Sequence, residues 1–242
     1  MKENKTDIDE LKHAAAQRAL EYVQSGMRLG IGTGTTTAHF IKLLGERIRA
    51  GELEDVLGVP TSKETVQLAQ TAGVPLTTLT ELMGASGLPV LDLVVDGADE
   101  VDPHLNLIKG LGKALLREKI IESHTPRFIA IVDETKLSDR LGRGPLPLEI
   151  VQFEAQVHVR WLQSLDCRAE LWLRENGQPY ITDNGNYLAR CWFEEGIQDA
   201  YGLAKRLAER PGIVEHGLFL DMVDQVIVAA ESGVRVIERD GR

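Results

Sequence analysis

The sequence predicts an α/β fold in which a doubly wound parallel sheet is joined by a smaller α+β domain. Short apolar runs alternate with segments of helical periodicity as far as Leu141, a pattern typical of a parallel sheet covered by helices. The run Val90–Val95 is rich in β-branched residues, as strands buried on both faces are. The turn-rich residues 142–147 then indicate a domain boundary. We therefore predict one domain from residues 1–141 and 217–242 and a second from residues 142–216.

Each element is predicted from a local pattern. Amphipathic spacing predicts helices, and short apolar runs bounded by glycine or proline predict strands. Thr61 and Glu64 have the spacing of a capping box, which predicts that a helix begins there and runs to Ala72. The other predicted helices are Ile8–Ser25, Ala38–Ala50, Lys113–Ser123, Ala155–Leu165 and Gln198–Arg210. The predicted strands are Met27–Gly32, Val56–Pro60, Val90–Val95, Phe128–Val132, Leu148–Phe153, Arg168–Leu173, Val223–Ala229 and Val234–Glu238, with a hairpin around Asp183–Gly185 and the last two strands returning to the first sheet.

Composition and charge exclude some classes of protein. The chain has 242 residues, 43% apolar and 26% charged, which are ordinary values for a globular protein. Its net charge of −10 argues against nucleic acid or an anionic membrane as the main partner, although a local pocket can still hold an anionic small molecule.

Cys167 and Cys191 are the only cysteines and lack CxxC spacing, so free thiols and a reducing compartment are expected. No apolar run has bilayer length and the first residues do not resemble a signal peptide, so we expect a cytoplasmic protein.

Ligands of such sheets bind beyond the carboxyl ends of the strands, and three motifs fall at such ends. The first is the turn Gly32–Thr36, where glycine lets the backbone approach an anion and the start of a helix favours negative charge. No lysine follows as in a P-loop, and Thr37 stands where a dinucleotide-binding motif requires glycine. The turn therefore predicts either an anion site or a tight turn that caps a helix.

The second motif is Asp96–Glu100, which follows the strand Val90–Val95. A carboxylate at this edge accepts hydrogen bonds from sugar hydroxyls and acts as an acid or a base. The same cluster, with Asp102 nearby, is also typical of an acidic loop or of a magnesium site. A metal is disfavoured because Lys109 supplies a competing positive charge and no histidine joins the acids.

The third motif is the loop Lys109–Gly112, followed by a helix that carries Glu118. A carboxyl group on an apolar helix face is either a solvated edge residue or a partly desolvated base, since desolvation raises a carboxyl pKa. Arg117 and Lys119 point away from this face, towards water or structural partners. The motif suits an enzyme that moves protons around a carbonyl. The residues that share the face of Glu118 are Ala114, Leu115 and Ile121.

Taken in order, these motifs resemble ribose-5-phosphate isomerase of the A type over nearly the whole chain. The resemblance implies a cofactor-free aldose–ketose isomerase that interconverts ribose 5-phosphate and ribulose 5-phosphate in the pentose phosphate pathway. It also implies a Rossmann-like catalytic domain, a smaller lid-like domain and a homo-oligomer, usually a dimer or tetramer. The matching segments are Gly32–Thr36, Thr61–Ser62, Asp96–Glu100, Lys109–Gly110, Leu115–Lys119, Asp133–Lys136, Pro145–Pro147 with Glu149, Thr182–Asn186, Pro211–Gly212 and Gly217–Phe219.

The resemblance also assigns candidate site residues. Glu118 takes the position of the proton-shuttling base. Asp96 is a candidate acid–base partner for the ring oxygen. Lys109 is a candidate to offset the charge of the developing oxyanion, and Asp99 is a candidate to hold a sugar hydroxyl. The residues expected to line the sugar phosphate are Thr33, Gly34, Thr35, Thr36, Asp96, Gly97, Ala98, Asp99, Lys109, Gly110, Leu111, Gly112 and Lys136.

The chain departs from the family pattern in the loop after Lys109, which is commonly Lys-Gly-Gly-Gly-Gly-Ala in the family. Leu111 and Lys113 replace glycines in this chain, so Leu111 is less free to adopt positive φ and Lys113 places a positive charge at the start of the helix. Lys113 is expected either to bind the negative charge of the substrate or to point outward. This change puts the geometry of the loop in question but leaves the reaction class as it is.

Two alternative functions belong to other classes. A non-catalytic sugar-phosphate sensor is disfavoured because the sequence contains no DNA-binding helical module and does contain an acid that binding alone would not need. A nicotinamide-dependent dehydrogenase is disfavoured because the glycine motif is incomplete. It is also disfavoured because Val59–Pro60 stands at the end of the second strand, where an acidic residue would be needed.

Overall fold

The computed structural model describes residues 8–83 and 91–239. Within these residues the chain forms two compact units, each with its own hydrophobic core. Unit 1 contains the described residues of segments 1–97, 120–136 and 222–242, and unit 2 contains residues 98–119 and 137–221. The predicted lid domain, residues 142–216, falls within unit 2, and its role as a lid stays a prediction.

Both units contain α-helices and β-strands. The helices are α1 (Ile8–Leu20), α2 (Thr35–Arg49), α3 (Lys63–Ala72), α4 (Leu79–Leu82), α5 (Leu115–Glu122), α6 (Ala155–Gln163) and α7 (Ala200–Ala208). The strands are β1 (Arg28–Ile31), β2 (Leu57–Pro60), β3 (Leu93–Gly97), β4 (Glu100–Val101), β5 (Leu107–Ile108), β6 (Phe128–Asp133), β7 (Leu146–Ile150), β8 (Arg168–Leu171), β9 (Tyr187–Trp192), β10 (Ile213–His216), β11 (Leu218–Phe219), β12 (Gln225–Ala230) and β13 (Gly233–Glu238). Within residues 8–83 and 91–239, no helix is both long and apolar enough to cross a lipid bilayer.

The described part of unit 1 is organised around a six-stranded sheet with the order β2–β1–β3–β6–β12–β13. Neighbouring strands are parallel except β13, which pairs antiparallel with β12 at one edge. Strand β6 is buried at every position, as expected for a strand covered on both faces. The strand order reverses beside β1, because the chain first adds β2 on one side and then β3 on the other. The predicted doubly wound parallel sheet is confirmed, with an antiparallel edge strand.

The core of unit 1 lies where α1 and α2 cover this sheet. Helix α1 buries alanines 15, 16 and 19 on one face, and α2 buries Phe40 and Leu44. These side chains recur every three or four residues, so each helix presents one apolar face to the strands. Leu29 of β1 and Val95 of β3 belong to the same cluster. The carboxyl ends of β1 and β3 are thereby held as neighbours, with Ile31 paired to Val95.

The start of α3 differs from the prediction. Its capping residue is Ser62, whose hydroxyl accepts the N–H of Thr65 at 3.0 Å. The predicted capping box of Thr61 and Glu64 is wrong by one position, because the Thr61 hydroxyl binds that of Thr33 at 2.8 Å instead. A tertiary contact therefore decides between two adjacent hydroxyl residues that have similar capping propensity.

Unit 2 is an α+β structure. Among its residues, β10–β7–β9–β8 form an antiparallel four-stranded sheet and β11–β5–β4 a smaller one. The core places Leu162 of α6 and Leu207 of α7 in one cluster with the central strands. Its sheet residues include Leu148, Ile150 and Ala189, all completely buried.

Some predicted ends in unit 2 are shifted. Strand β7 runs from Leu146 to Ile150, whereas the prediction was Leu148–Phe153, and Phe153 is 80% exposed. Pro147 is tolerated inside β7 although it lacks an N–H, since its carbonyl oxygen still accepts the N–H of Gly217 at 2.8 Å. The predicted hairpin around Asp183–Gly185 is present, closed by the antiparallel bridge between Ile181 and Tyr187.

In unit 1, helix α1 ends at Leu20 instead of Ser25. The strand predicted at Val90–Val95 runs from Leu93 to Gly97, and Val90 itself lies outside the described residues. The predicted return of the chain to the first sheet is confirmed, because β12 pairs with β6 in parallel.

Gly45 marks a close approach of two helices in unit 1. A Cβ atom placed on Gly45 of α2 would lie 2.1 Å from the carbonyl oxygen of Ala72 in α3. We expect Gly45→Ala to lower the free energy of unfolding by about 1–3 kcal/mol through overpacking, although alanine favours an isolated helix by about 1 kcal/mol. Urea unfolding measures the change, with Glu46→Ala at the adjacent exposed position as the control. A Gly45→Ala variant as stable as the wild type would contradict this packing.

Candidate active site

The candidate site in unit 2 begins at helix α5, whose first turn carries Glu118. The N–H of Glu118 donates to the carbonyl oxygen of Ala114 at 3.0 Å, so helix geometry sets the direction of the side chain. Glu118 is 2% exposed. The predicted apolar face is present, since Ala114, Leu115 and Ile121 are buried as well.

Glu118 forms a buried ion pair with Lys109. The carboxylate atom Oε2 lies 3.6 Å from the Lys109 ammonium, and the two side chains are 3% and 2% exposed. The ammonium also lies 5.4 Å from the centre of the Phe219 ring, at cation–π distance. A charge is tolerated away from water when it is paired, so each of these two groups makes the burial of the other possible.

The loop between Lys109 and α5 contributes through its backbone. Gly110 has a φ of +106°, and a Cβ atom there would lie 2.8 Å from the Cβ atom of Leu115. The N–H of Leu111 donates to Oδ2 of Asp99 at 2.9 Å. The positions of this loop that have positive φ are Gly110 and Lys113, so the backbone at Leu111 does not need the freedom of the glycine that it replaces.

Lys113 lies before α5, not within it as predicted. Its φ is +68°, and its N–H donates to the carbonyl oxygen of Gly110 at 2.9 Å, which closes a turn. The ammonium lies 4.8 Å from the centre of the Tyr180 ring and 5.4 Å from that of Trp172. The first helical residue is Leu115, so Lys113 lies in the turn that precedes the helix.

A second cluster of predicted site residues lies at the carboxyl end of β3 in unit 1. Asp96 is completely buried. Its Oδ1 atom accepts the N–H of Thr33 at 3.0 Å, the N–H of Gly97 at 2.6 Å and the hydroxyl of Thr37 at 3.3 Å. A Cβ atom on Gly32 would lie 1.9 Å from the carboxyl carbon of Asp96. The first glycine of the turn therefore makes room for this carboxylate.

The threonines of the Gly32–Thr36 turn have different surroundings. The Thr33 hydroxyl lies 2.8–2.9 Å from the hydroxyls of Thr61, Ser62 and Thr65, so it is engaged inside unit 1. Helix α2 begins at Thr35, earlier than the predicted Ala38, and follows Gly34, whose φ is +122°. Thr35 and Thr36 thus lie in the first helical turn, where backbone N–H groups favour an anion.

The predicted site residues divide between the units, because the chain passes from unit 1 to unit 2 between Gly97 and Ala98. Unit 1 brings Asp96 together with Thr33 and Gly97. Unit 2 brings Glu118 together with Lys109, and Asp99 together with Leu111. Lys136 belongs to unit 1 and ends a 3-10 turn, Glu134–Lys136, directly after β6.

Sequence reasoning missed several residues that hold these groups in place. Glu100 is buried and accepts the N–H groups of Gly142 at 2.7 Å, Arg143 at 3.2 Å and Gly144 at 2.5 Å. The turn-rich segment is thus bound to a carboxylate of the Asp96–Glu100 motif. In the sequence Glu100 is distinguished only by its place in an acidic run. That pattern does not show whether a carboxylate binds the backbone of its own chain or a bound molecule.

Lys119 and His216 form another missed group. The Lys119 ammonium donates to Oε1 of Glu215 at 2.7 Å and to the carbonyl oxygen of His216 at 2.6 Å. Burial, and secondly the positive charge of Lys119, lower the pKa of His216 to about 4. The ring is therefore neutral at neutral pH, and its Nδ1 atom accepts the N–H of Leu218 at 3.3 Å.

A buried carboxylate on a helix, an ammonium 3.6 Å away and a glycine-containing loop define an α/β enzyme that carries out acid–base chemistry on a small molecule. Comparison with known proteins gives the family. The profile of the family described as Ribose 5-phosphate isomerase A (phosphoriboisomerase A) matches residues 57–233, which is more than half of the chain.

Relatives and solved structures agree with this match. Ribose-5-phosphate isomerase A of Rhodopseudomonas palustris (strain TIE-1) is 47% identical over 239 residues, covering 96% of this chain and 99% of the relative. A protein of Arabidopsis thaliana named probable ribose-5-phosphate isomerase 3, chloroplastic, is 43% identical over 237 residues, covering 96% of this chain and 84% of the relative. A structure of D-ribose-5-phosphate isomerase in complex with phospho-erythronic acid has a TM-score of 0.91 and 42% identity, over 97% of this chain and 100% of that chain.

The chain belongs to the ribose 5-phosphate isomerase A family. The resemblance seen in the sequence is confirmed, as is the α/β, Rossmann-like fold.

The low pKa of His216 predicts a pH dependence of stability. An unfolded histidine titrates near 6.5, so below that pH the unfolded chain binds a proton that the folded protein does not bind until about pH 4. The contribution of neutral His216 to the free energy of unfolding is complete above the unfolded pKa. It falls as the pH drops towards 4, by up to about 1.4 kcal/mol per pH unit. We expect His216→Gln to flatten this part of the profile in urea unfolding, while the exposed control His104→Gln keeps the wild-type slope. Equal slopes in wild type and His216→Gln would contradict a neutral buried ring.

Proposed function

We propose that Glu118 is the base that carries the proton in the isomerisation of ribose 5-phosphate. The protein interconverts D-ribose 5-phosphate and D-ribulose 5-phosphate in pentose phosphate metabolism, the activity of the family to which it belongs. The observation that carries the assignment is the burial of the Glu118 carboxylate beside the Lys109 ammonium.

The reaction needs one group that both removes and returns a proton. The open-chain aldose loses the proton of C2, the carbon next to the carbonyl, and the electron pair forms a C1–C2 double bond while the oxygen on C1 becomes negative. In the second half, the same carboxyl group returns the proton to C1, the proton of the C2 hydroxyl passes to the negative oxygen on C1, and C2 becomes the new carbonyl. A carboxylate that is screened from water serves both halves, because it alternates between base and acid at neighbouring carbons.

Lys109 is proposed to offset the negative charge of the enediolate. Its ammonium is already held at Glu118 and against the Phe219 ring, so little reorganisation accompanies the reaction. Preorganised donors of this kind contribute about 3–4 kcal/mol to the stabilisation of a transition state. Asp99 is proposed to bind a sugar hydroxyl, since it is half-buried beside the loop and fixed by the N–H of Leu111.

The residues of unit 1 are proposed to act in ring opening and phosphate binding. Asp96 is assigned as the acid–base partner of the ring oxygen. The first turn of α2, with Gly34, Thr35 and Thr36, and the ammonium of Lys136 are assigned to the phosphate. Thr33 is assigned to the same lining, where its N–H is bound to Asp96 and its hydroxyl to three other hydroxyls. Gly97, Ala98, Gly110, Leu111 and Gly112 complete the proposed lining.

We also propose that the protein is a cytoplasmic homo-oligomer, either a dimer or a tetramer, whose reaction uses side chains without a cofactor. Both cysteines are free thiols, which suits a reducing compartment. One relative is named chloroplastic, so the compartment differs among members of the family. Light scattering on the purified protein measures the oligomeric state.

Glu118→Gln tests the assignment of the base. The substitution keeps the size of the side chain but removes its ability to accept a proton. We expect kcat to fall by about 10²–10⁴-fold with KM little changed, in an assay of ribose 5-phosphate conversion to ribulose 5-phosphate. Glu122→Gln, also a buried carboxyl on α5, is the matched control and should keep most of the wild-type kcat. If Glu118→Gln keeps most of the rate, another group is the base.

Substitutions in unit 1 test the phosphate assignment. Thr35→Ala and Lys136→Ala should mainly raise KM, because they remove contacts made equally in the ground state and the transition state. The exposed residue Lys42 of α2 provides the control variant Lys42→Ala, which should leave KM unchanged. Wild-type KM values in both test variants would remove these residues from the proposed site.

A further inference from the structure

Two cations flank Glu118 in the first turn of α5, and each is bound to a different part of unit 2. We propose that Arg117 and Lys119 are positioning residues that hold Glu118 in its catalytic orientation, and that both are anchored on one register pair of strands β7 and β10. We call this arrangement the clamp. The inference rests on the proposed role of Glu118 as the base.

The first arm of the clamp joins Arg117 to the turn at residues 182–186. The Nε atom of Arg117 donates to Oδ1 of Asn184 at 2.8 Å, and a terminal nitrogen donates to the carbonyl oxygen of Asp183 at 3.0 Å. The Asp183 carboxylate lies 3.7 Å from the other terminal nitrogen. A planar guanidinium held at several points fixes direction as well as distance.

The turn itself is fixed by a buried carboxylate. Glu149 of β7 is completely buried and accepts the Thr182 hydroxyl at 3.0 Å, the Asn184 amide at 3.1 Å and the Asn186 amide at 2.8 Å. The side chain of Asn184 therefore bridges two partners, since its nitrogen donates to Glu149 while its oxygen accepts from Arg117. This bridge connects α5 to the middle of the sheet in unit 2.

The second arm joins Lys119 to β10. Its ammonium donates to Glu215 and to the carbonyl oxygen of His216, at 2.7 and 2.6 Å. It also lies 4.6 Å from the centre of the Phe219 ring, the ring that the Lys109 ammonium approaches to 5.4 Å. The second arm thus touches the same ring as the ammonium that pairs with Glu118.

Both arms end at the same place in the sheet. Glu149 of β7 and Glu215 of β10 are direct antiparallel partners. Like charges directly opposite each other destabilise a strand pair. In this pair each carboxylate has its own donors, Glu149 from the turn and Glu215 from Lys119. Two opposed carboxylates do not stabilise a strand pair by themselves. Their presence is explained by their role in binding the two arms of the clamp.

Helix geometry explains what two arms achieve. Successive side chains point about 100° apart around a helix, so Arg117 and Lys119 leave α5 on either side of Glu118. The cations on both sides of Glu118 are bound to unit 2, so the turn is held on either side of the residue that the helix orients. A displacement of about 1 Å at a reacting group can cost about 10²-fold in rate.

The test compares Arg117→Ala, Asn184→Ala, Lys119→Ala and the double variant Arg117→Ala/Asn184→Ala. We expect each single variant to lower kcat by about tenfold and to keep KM within about twofold of the wild type. The double variant should lose less than the product of the two single losses, because both single variants remove the hydrogen bond between Arg117 and Asn184. Gln152→Ala is the matched control, because Gln152 binds the same turn through a hydrogen bond to the carbonyl oxygen of Gly185, at 2.6 Å. It should keep the wild-type kcat.

The kinetic isotope effect separates positioning from a general loss of structure. Rates are referred to the folded fraction, measured by circular dichroism, and the substrate is compared with its C2-deuterated form. A misplaced base slows proton removal itself, so the isotope effect on kcat should be at least as large as in the wild type. A smaller isotope effect, a kcat within about twofold of the wild type, or an equal loss in Gln152→Ala would each overturn the clamp.

Glu118→Gln keeps this proposal distinct from the assignment of the base. If Glu118→Gln retains its rate, the proposed role of Glu118 fails, and the clamp fails with it. If Glu118→Gln is inactive while the Arg117, Asn184 and Lys119 variants keep their kcat, only the clamp fails.

Discussion

The central constraint on unit 2 is the burial of two opposite charges, a lysine ammonium and a glutamate carboxylate that lie 3.6 Å apart and almost without solvent contact. Removing one ion from water costs several kcal/mol, and the pairing of Lys109 with Glu118 offsets part of that cost for each of them. The backbone of Lys109 is tied in turn, since its N–H donates to Gly217 at 2.9 Å and the N–H of Gly217 donates to Pro147 of β7 at 2.8 Å. The buried pair is thereby connected to the sheet of unit 2 through main-chain hydrogen bonds.

Glycines of the sequence motifs lie where the chain packs too closely for a side chain. A Cβ atom on Gly217 would lie 2.3 Å from the carbonyl oxygen of Lys109, and one on Gly110 would meet Leu115. In unit 1, Gly32 makes the same kind of room for Asp96. Glycine-rich motifs are usually read as places where a backbone approaches a ligand. In this protein these three glycines also let the backbone pack closely against the protein's own atoms at the two candidate clusters.

Much of the fold was predictable because it depends on local patterns. The buried strand β6 and the apolar face that carries Glu118 both follow from the periodicity of the sequence. The links that hold Glu118 in place were not predictable. Arg117 and Asn184 are separated by 67 positions, and neither has a local pattern that names the other. Likewise, adjacent hydroxyls at Thr61 and Ser62 look alike in the sequence, and only the contact with Thr33 decides which one caps α3.

The most direct measurement is the loss of deuterium from C2 of deuterated ribose 5-phosphate, followed by NMR in the presence of wild-type protein or Glu118→Gln. It reports removal of the proton from C2, separately from product release. We expect the wild-type protein to remove the label from C2 and Glu118→Gln to leave it in place over the same time. Removal of deuterium by Glu118→Gln at close to the wild-type rate would show that another group takes the proton, which would contradict the proposed role of the buried pair.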